Sequence, residues 1–248
     1  MFAFFKNWRR RRILDRHRIP DTTWEAITRG LPATAHLSTA DKDRLRDLAS
    51  LFLYEKAIEP ARGMTVSEAM QVRIACEAVI PVLNLGLDLY RPWYSVIVYP
   101  VAFVARDVYR DEAGVIHSGP EARAGEAWER GPVILSWEDI AAARQGYNVI
   151  IHEMAHKLDL LDGVANGFPP MHTGMRQEDW TATFSAAYND LLEQVAADGA
   201  TTLDPYAATS PAEFFAVASE AFFETPRVLQ RAWPDVYGQL ALYYRQRP

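Results

Sequence analysis

Cysteine is almost absent from this chain: Cys76 is the only one in 248 residues. That excludes an internal disulfide framework and every zinc site built on several thiolates. Cys76 lies in an apolar run with Ile74, Ala75, Val79 and Ile80, the setting of a buried, unreactive thiol. Long hydrophobic runs are missing too, and none reaches the ~18 apolar residues of a membrane span. The opening residues, Met1-Phe-Ala-Phe-Phe-Lys-Asn-Trp8, place apolar groups ahead of the charges that follow. A secretory signal has the reverse order, so a cytoplasmic protein that does not enter a membrane is expected. A basic surplus is also lacking. The net charge of -6 argues against a dedicated nucleic-acid binder, which carries a basic face. The one basic run, Arg9 to Arg12 with Arg16 and Arg18 behind it, is read as a solvated segment rather than an RNA or anionic-lipid contact. Phe2, Phe4, Phe5 and Trp8 are expected to dock on the body.

There is no internal repeat and no low-complexity linker. With 49% hydrophobic residues the chain can bury a full core, and its length fits one domain. Residues 40–57 place Leu45, Leu48, Leu51 and Phe52 at helical spacing, and Pro60 closes that segment. Thr65-Val-Ser-Glu68 has the form of a capping box before a helix that runs towards Pro81. The character then changes. Tyr94 to Tyr99, Val101 to Val104 and Val133 to Trp137 are short, β-branched and aromatic, as strands are, with Gly114, Gly119, Gly125 and Gly131 between them. Helical spacing returns at roughly 138–161, 177–197 and 211–224, with one or two more helices near the end. The expectation is an α+β, predominantly helical domain with a small central β-sheet. It forms one unit over 1–248, with a helical part at 1–85 and the sheet with the metal-binding helices at 93–248.

The residues that carry chemistry begin at Ile150-Ile-His152-Glu153-Met-Ala-His156-Lys-Leu-Asp159. Histidines four apart on a helix stand one turn apart along the axis and about 40° apart around it. Both rings can therefore reach one ion. Glu153 is about 100° round from His152. That is too far for a natural third ligand, but within reach of a water on the ion, where a general base belongs. Tyr147, Ile150, Ile151, Met154, Leu158 and Leu161 form an apolar stripe opposite, and Gly163 supplies a stop. Asp159 shares the histidine face and is either an acceptor for a ring N–H or a surface residue near the helix end.

A catalytic zinc keeps three protein ligands and one open position. His172 is one candidate third ligand, but nothing in its Pro169-Pro170 loop fixes it. Glu213 and Glu220, on a helix capped by Ser210 and begun by Pro211, are the better ones. They share a face about 10.5 Å apart along the axis, so one ion does not readily take both. Ser210-x-x-Glu213 also reads as a capping box, in which Glu213 merely caps its own helix. Spacing leaves the two glutamates level. Two imidazoles and a carboxylate suit zinc best. A nucleobase deaminase is excluded by the missing Pro-Cys-x-x-Cys motif, and a closed structural site would not need Glu153 beside the metal.

The combination of His152-Glu-Met-Ala-His156-Lys-Leu-Asp159, Ala165-Asn-Gly167 and Tyr206-Ala-Ala-Thr-Ser-Pro-Ala-Glu213-Phe-Phe-Ala resembles the Mlc titration factor A family. Trp8-Arg-Arg-Arg-Arg-Ile-Leu fits it as well, so the resemblance runs over nearly the whole chain. Its metal end is similar to the catalytic domain of anthrax lethal factor, a zincin-type metallopeptidase. The resemblance implies that His152, His156 and Glu213 bind one zinc ion, that Glu153 is the base and that Tyr206 assists catalysis. Asp159 and Glu220 then become supporting residues. It further implies aminopeptidase-like activity on peptides and binding of the transcriptional repressor Mlc. The alternative it leaves is an interaction protein that sequesters the repressor, with a vestigial or partner-activated metal site. Extended peptides could add to a sheet edge at Tyr94–Tyr99 or Val133–Trp137.

Overall fold

The computed structural model describes residues 2–110, 116–123, 125–127, 131–142 and 146–248, with the side chains of 2–4, 103–110, 116–123 and 125–127 outside that description. The chain opens with α1 (Phe2–His17), α2 (Asp21–Thr28) and α3 (Thr39–Glu55), then β1 (Ala57–Pro60) and α4 (Glu68–Val79). β2 (Ser95–Tyr99), β3 (Phe103–Arg110), β4 (Ile116–Arg123), β5 (Gly125–Ala127) and β6 (Val133–Ser136) follow. The rest is helical: α5 (Trp137–Ala141), α6 (Val149–Asp159), α7 (Gln177–Ala196), α8 (Pro211–Glu224), α9 (Pro226–Ala232) and α10 (Pro234–Tyr244). This is the expected α+β, mostly helical architecture.

The sheet has the order β1-β2-β6-β5, in which β1, β2 and β6 run parallel and β5 is antiparallel to β6. β3 and β4 form a separate antiparallel pair. Val96 and Val98 of β2 stand opposite Val133 and Leu135 of β6, and all four are buried. Both segments named as possible peptide-binding edges are therefore interior. β-branched and aliphatic residues mark a well-packed strand and not an open one. Among the described strands the edges of this sheet are β1 and β5.

Several local expectations shift. The cap of α4 is Ser67, whose hydroxyl accepts from Met70 N, rather than Thr65. The serine lies directly before the first apolar turn, where a cap must sit to reach orphan N–H groups. The single helix anticipated over 138–161 is two, α5 and α6, and Gly146 at φ +81° separates them. β1 arises where Pro60 was read only as a helix stop, and strand β3 begins at Phe103 rather than Val101. Gly114 falls outside the described residues. Phe5 and Trp8 remain 61% and 53% exposed, so neither is buried in the core; Phe2 and Phe4 belong to the undescribed side chains. α1 is held instead by buried Ile13 and by Lys6 and Arg10, which both pair with Asp88.

One hydrophobic cluster runs from Ile13 to Tyr244. Within it α6 packs against α8. Every residue of α6 except His156 is buried, so the helix is enveloped rather than laid with one stripe on a core. α8 contributes Phe214, Phe215, Phe222 and Phe223, all nearly inaccessible, each worth about 1.5–3 kcal/mol of burial. Lys157 of α6 donates to the Gly131 carbonyl at 3.0 Å, which ties the helix to the segment leading into β6.

The packing of α4 against α6 brings in an acidic group, Glu77, which is 3% exposed. Burial pushes its carboxyl up to about 7, with the Arg73 charge opposing and the Glu224 charge adding to the rise. Between pH 4.5 and 7 the folded protein keeps a proton there that the unfolded chain releases. The contribution of this residue to stability is therefore present at low pH and is lost as pH rises through that window. The shift corresponds to about 3 kcal/mol. Glu77→Gln is expected to raise the Tm by several degrees at pH 8 and to change it little at pH 4.5. Thermal unfolding at both pH values tests this, and an equal shift at each would contradict it.

Candidate metal centre

α6 begins at Asn148, whose side-chain oxygen accepts from Ile151 N at 3.1 Å. This cap fixes the phase of the helix, and with it the direction in which His152 and His156 point. α8 begins at Ser210 and Pro211, and the Ser210 hydroxyl accepts from Glu213 N at 3.2 Å. Glu213 therefore takes one half of the capping box, through its backbone. Its carboxylate turns instead to the histidines: Oε2 lies 3.0 Å from His152 Nε2 and 3.3 Å from His156 Nε2. The two Nε2 atoms are 3.1 Å apart.

Three potential ligand atoms thus form a near-equilateral triangle. Donors placed 2.0–2.1 Å from a tetrahedral ion stand about 3.3 Å from one another. The observed separations of 3.0–3.3 Å match that spacing to within a few tenths of an ångström. Among the described residues this is a His, His, Glu cluster able to hold a divalent metal. The donor set of two imidazole nitrogens and one carboxylate oxygen fits such an ion. The cluster sits at the edge of the core, with His152 9% exposed, Glu153 3% and the Glu213 side chain 20%.

Glu220 has the other role. Its Oε1 lies 2.8 Å from His152 Nδ1, and its Oε2 accepts from Asn148 N. The His152 ring is thereby suspended between two carboxylates of α8, one at each nitrogen. The Glu220 contact assigns the proton to Nδ1 and leaves Nε2 free to coordinate. Burial disfavours a charged His152, but its hydrogen bonds to Glu213 and Glu220 outweigh it and raise its pKa well above the usual value. Glu213 is also disfavoured as an anion by burial, yet contact with both histidines holds its pKa well below the carboxylate range.

Asp159 is fully buried and does not serve a histidine. Its two oxygens accept from Gly167 N at 2.7 Å and Phe168 N at 2.9 Å, while His156 Nδ1 has no hydrogen-bond partner among the described residues. Burial pushes Asp159 up to about 6, opposed chiefly by the Gly167 N–H. His172 is engaged elsewhere: its Nε2 lies 2.7 Å from the Tyr243 carbonyl oxygen, and its ring stacks on Tyr243. Tyr206 lies in a 3-10 turn over 205–208 just before α8, with its ring centroid 6.2 Å from that of His152 and the residue 43% exposed. Sequence reasoning missed Asn148, whose side-chain amide also donates to Glu224 Oε1 at 2.8 Å. An Asn directly before an apolar helical run was the available signal.

Because Glu220 holds His152 from behind, Glu220→Ala is expected to weaken divalent metal binding by about 10–100-fold while Glu213 and His156 remain in place. Competition against a chelator of known affinity measures this. Unchanged affinity would show that the Nδ1 contact does not contribute.

Comparison with known proteins shows the family. The chain is 37% identical over 224 residues to Mlc titration factor A of Yersinia enterocolitica, covering 88% of this chain and 83% of that protein. It is likewise 37% identical over 224 residues to Mlc titration factor A of Serratia proteamaculans, covering 88% and 85%. Mlc titration factor A of Yersinia pestis is 36% identical over 225 residues, covering 88% and 82%. The model of the glucose-regulated metallo-peptidase family M90 matches residues 5–245. With nearly the whole chain matched, this protein belongs to the glucose-regulated metallo-peptidase family M90.

Proposed function

We propose that this protein is a cytoplasmic, zinc-dependent peptidase of aminopeptidase-like type. The observation that carries the reading is the convergence of His152 Nε2, His156 Nε2 and Glu213 Oε2 next to Glu153 on the same helix. These three residues would hold the zinc. The chemistry a zinc ion supplies in such a site is polarisation of a carbonyl and acidification of water. The chain's own groups then divide the remaining work. The Glu153 carboxylate takes the proton of the attacking water and passes it to the leaving amine, so that no free amide anion forms. The Tyr206 phenol donates to the oxygen that becomes negative as the carbonyl carbon turns tetrahedral. Its partial exposure next to His152 supports that role, since a substrate arriving from solvent can reach it.

The peptide would approach along β5, the edge strand that packs beside α6. Main-chain hydrogen bonds to an edge hold an extended peptide with little demand on its sequence. The low exposure of the histidines and Glu153 supports electrostatic control of the reaction, because charges at the rim of a core are weakly screened.

The relatives' name, Mlc titration factor A, favours a second role, the binding of the repressor Mlc. The two roles are compatible if one surface holds the repressor and the cleft does the chemistry. Pull-down of Mlc by the His152→Ala, His156→Ala double variant separates them: retained capture assigns binding to a surface apart from the metal.

For the peptidase reading, the expected outcome is that Glu153→Gln binds zinc like the wild type and loses at least a hundredfold in kcat. Tyr206→Phe should lose about 10- to 1000-fold in kcat with KM little changed. A panel of aminoacyl and internally quenched peptides, assayed with the zinc-loaded protein, measures both and reports which end of a peptide is cut. Near-wild-type hydrolysis by Glu153→Gln would overturn the mechanism. Equal, negligible rates in wild type and variant would favour a repressor-sequestering protein.

A further inference from the structure

The histidines and Glu213 stand on different helices, so their spacing of about 3 Å depends on how α6 and α8 are held together. At the start of α6 the tie is direct, through Asn148 to Glu220 and Glu224. At its other end the connection runs through a loop. Asp159, 0% exposed, accepts the backbone N–H groups of Gly167 and Phe168. Trp180 Nε1 donates to the Gly167 carbonyl at 3.0 Å and fixes the same loop from α7. Gly167 has φ +76°, and a methyl group built on it would lie 2.4 Å from the Pro211 carbonyl oxygen and 2.8 Å from its carbon. Pro211 is the first residue of α8, two before Glu213.

We propose that Asp159 and Gly167 are positioning residues for the metal: the carboxylate on the histidine helix draws residues 167–168 onto the first turn of the glutamate helix, and the missing side chain of Gly167 sets how closely that turn approaches. Neither residue belongs to the ligand cluster; both act through Glu213. The inference rests on the reading of Glu213 as a ligand. Its physical basis is the kind of atom that Gly167 faces. Backbone atoms of a helix start cannot rotate away as a side chain can. Relief from 2.4 Å to ordinary contact at 3.4 Å requires about 1 Å of movement, against a tolerance of about 0.2 Å for a metal–ligand bond.

The test uses the full chain, stripped of metal, with zinc affinity read by competition with a fluorescent chelator and folding checked by circular dichroism. Gly167→Ala is expected to bind zinc at least tenfold more weakly than wild type. Gly163→Ala is the control, because it has φ +94° but nothing within 4 Å of the added methyl; it carries the backbone strain without the collision and should stay within threefold. In a Glu213→Ala background, Gly167→Ala should add less than twofold, since the residue it acts through is gone. Should Gly167→Ala fail to fold, Asp159→Asn takes its place, with the same direction of effect and the same loss of effect in the Glu213→Ala background. Affinity of the Gly167 variant within threefold of wild type, or a deficit that persists undiminished without Glu213, overturns the positioning role alone. Wild-type affinity in Glu213→Ala would instead remove Glu213 from the ligand set, and the inference with it.

Discussion

The arrangement of this protein turns on the contact between α6 and α8, and within it on the His152 ring held between Glu213 and Glu220. Two carboxylates on one helix face, two turns apart, bracket an imidazole from the neighbouring helix. That bracket sets the tautomer of His152, brings its Nε2 beside His156 Nε2 and places a Glu213 oxygen next to both. Glu153 takes its place from the same helix. A rotation of α6 by a fraction of a turn would scatter all of these groups at once, so the phase and separation of the two helices are what the surrounding structure must preserve.

The packing shows how that is achieved. Four phenylalanines of α8 and nearly all of α6 lie in the hydrophobic core, which supplies the adhesion but little directional information. Direction comes from polar groups buried along the contact. Asn148 uses its N–H, its side-chain oxygen and its amide nitrogen on Glu220, Ile151 and Glu224 respectively. Asp159 is satisfied by two backbone donors. Burying such groups is unfavourable unless each finds a partner, and misalignment removes several partners together. The same cost that makes this interior hard to build makes its one satisfied arrangement specific.

Some carboxylates remain under tension in that environment. Glu77 and Asp159 have their pKa values raised by burial, while Glu213 is driven the opposite way by the two histidines. Three cluster atoms that converge without a hydrogen between each pair are a poor hydrogen-bonding arrangement and a good coordination sphere. This is the physical sense in which the cluster suits a divalent ion better than it serves the stability of the chain.

Much of this was legible in the sequence because it depends on local periodicity. The 3.6-residue repeat puts His152 and His156 on one face and Glu153 off it wherever the helix sits in the fold, and Ser210-Pro211 marks the start of α8 to the residue. Composition likewise dictates a large core and excludes thiolate zinc sites. Other features depend on partners distant in the chain. Spacing left Glu213 and Glu220 level as ligands, and only the docking of α8 on α6 sends one to Nε2 and the other to Nδ1. The role of Asp159 was open for the same reason, since its acceptors are filled by loop residues that no periodicity brings near. The segments named as possible sheet edges are interior, because β-branched sequence reports good packing and not which neighbours a strand acquires. Short-range geometry is written in the order of residues along one helix; which helix faces which, and at what distance, is decided only when the whole core closes.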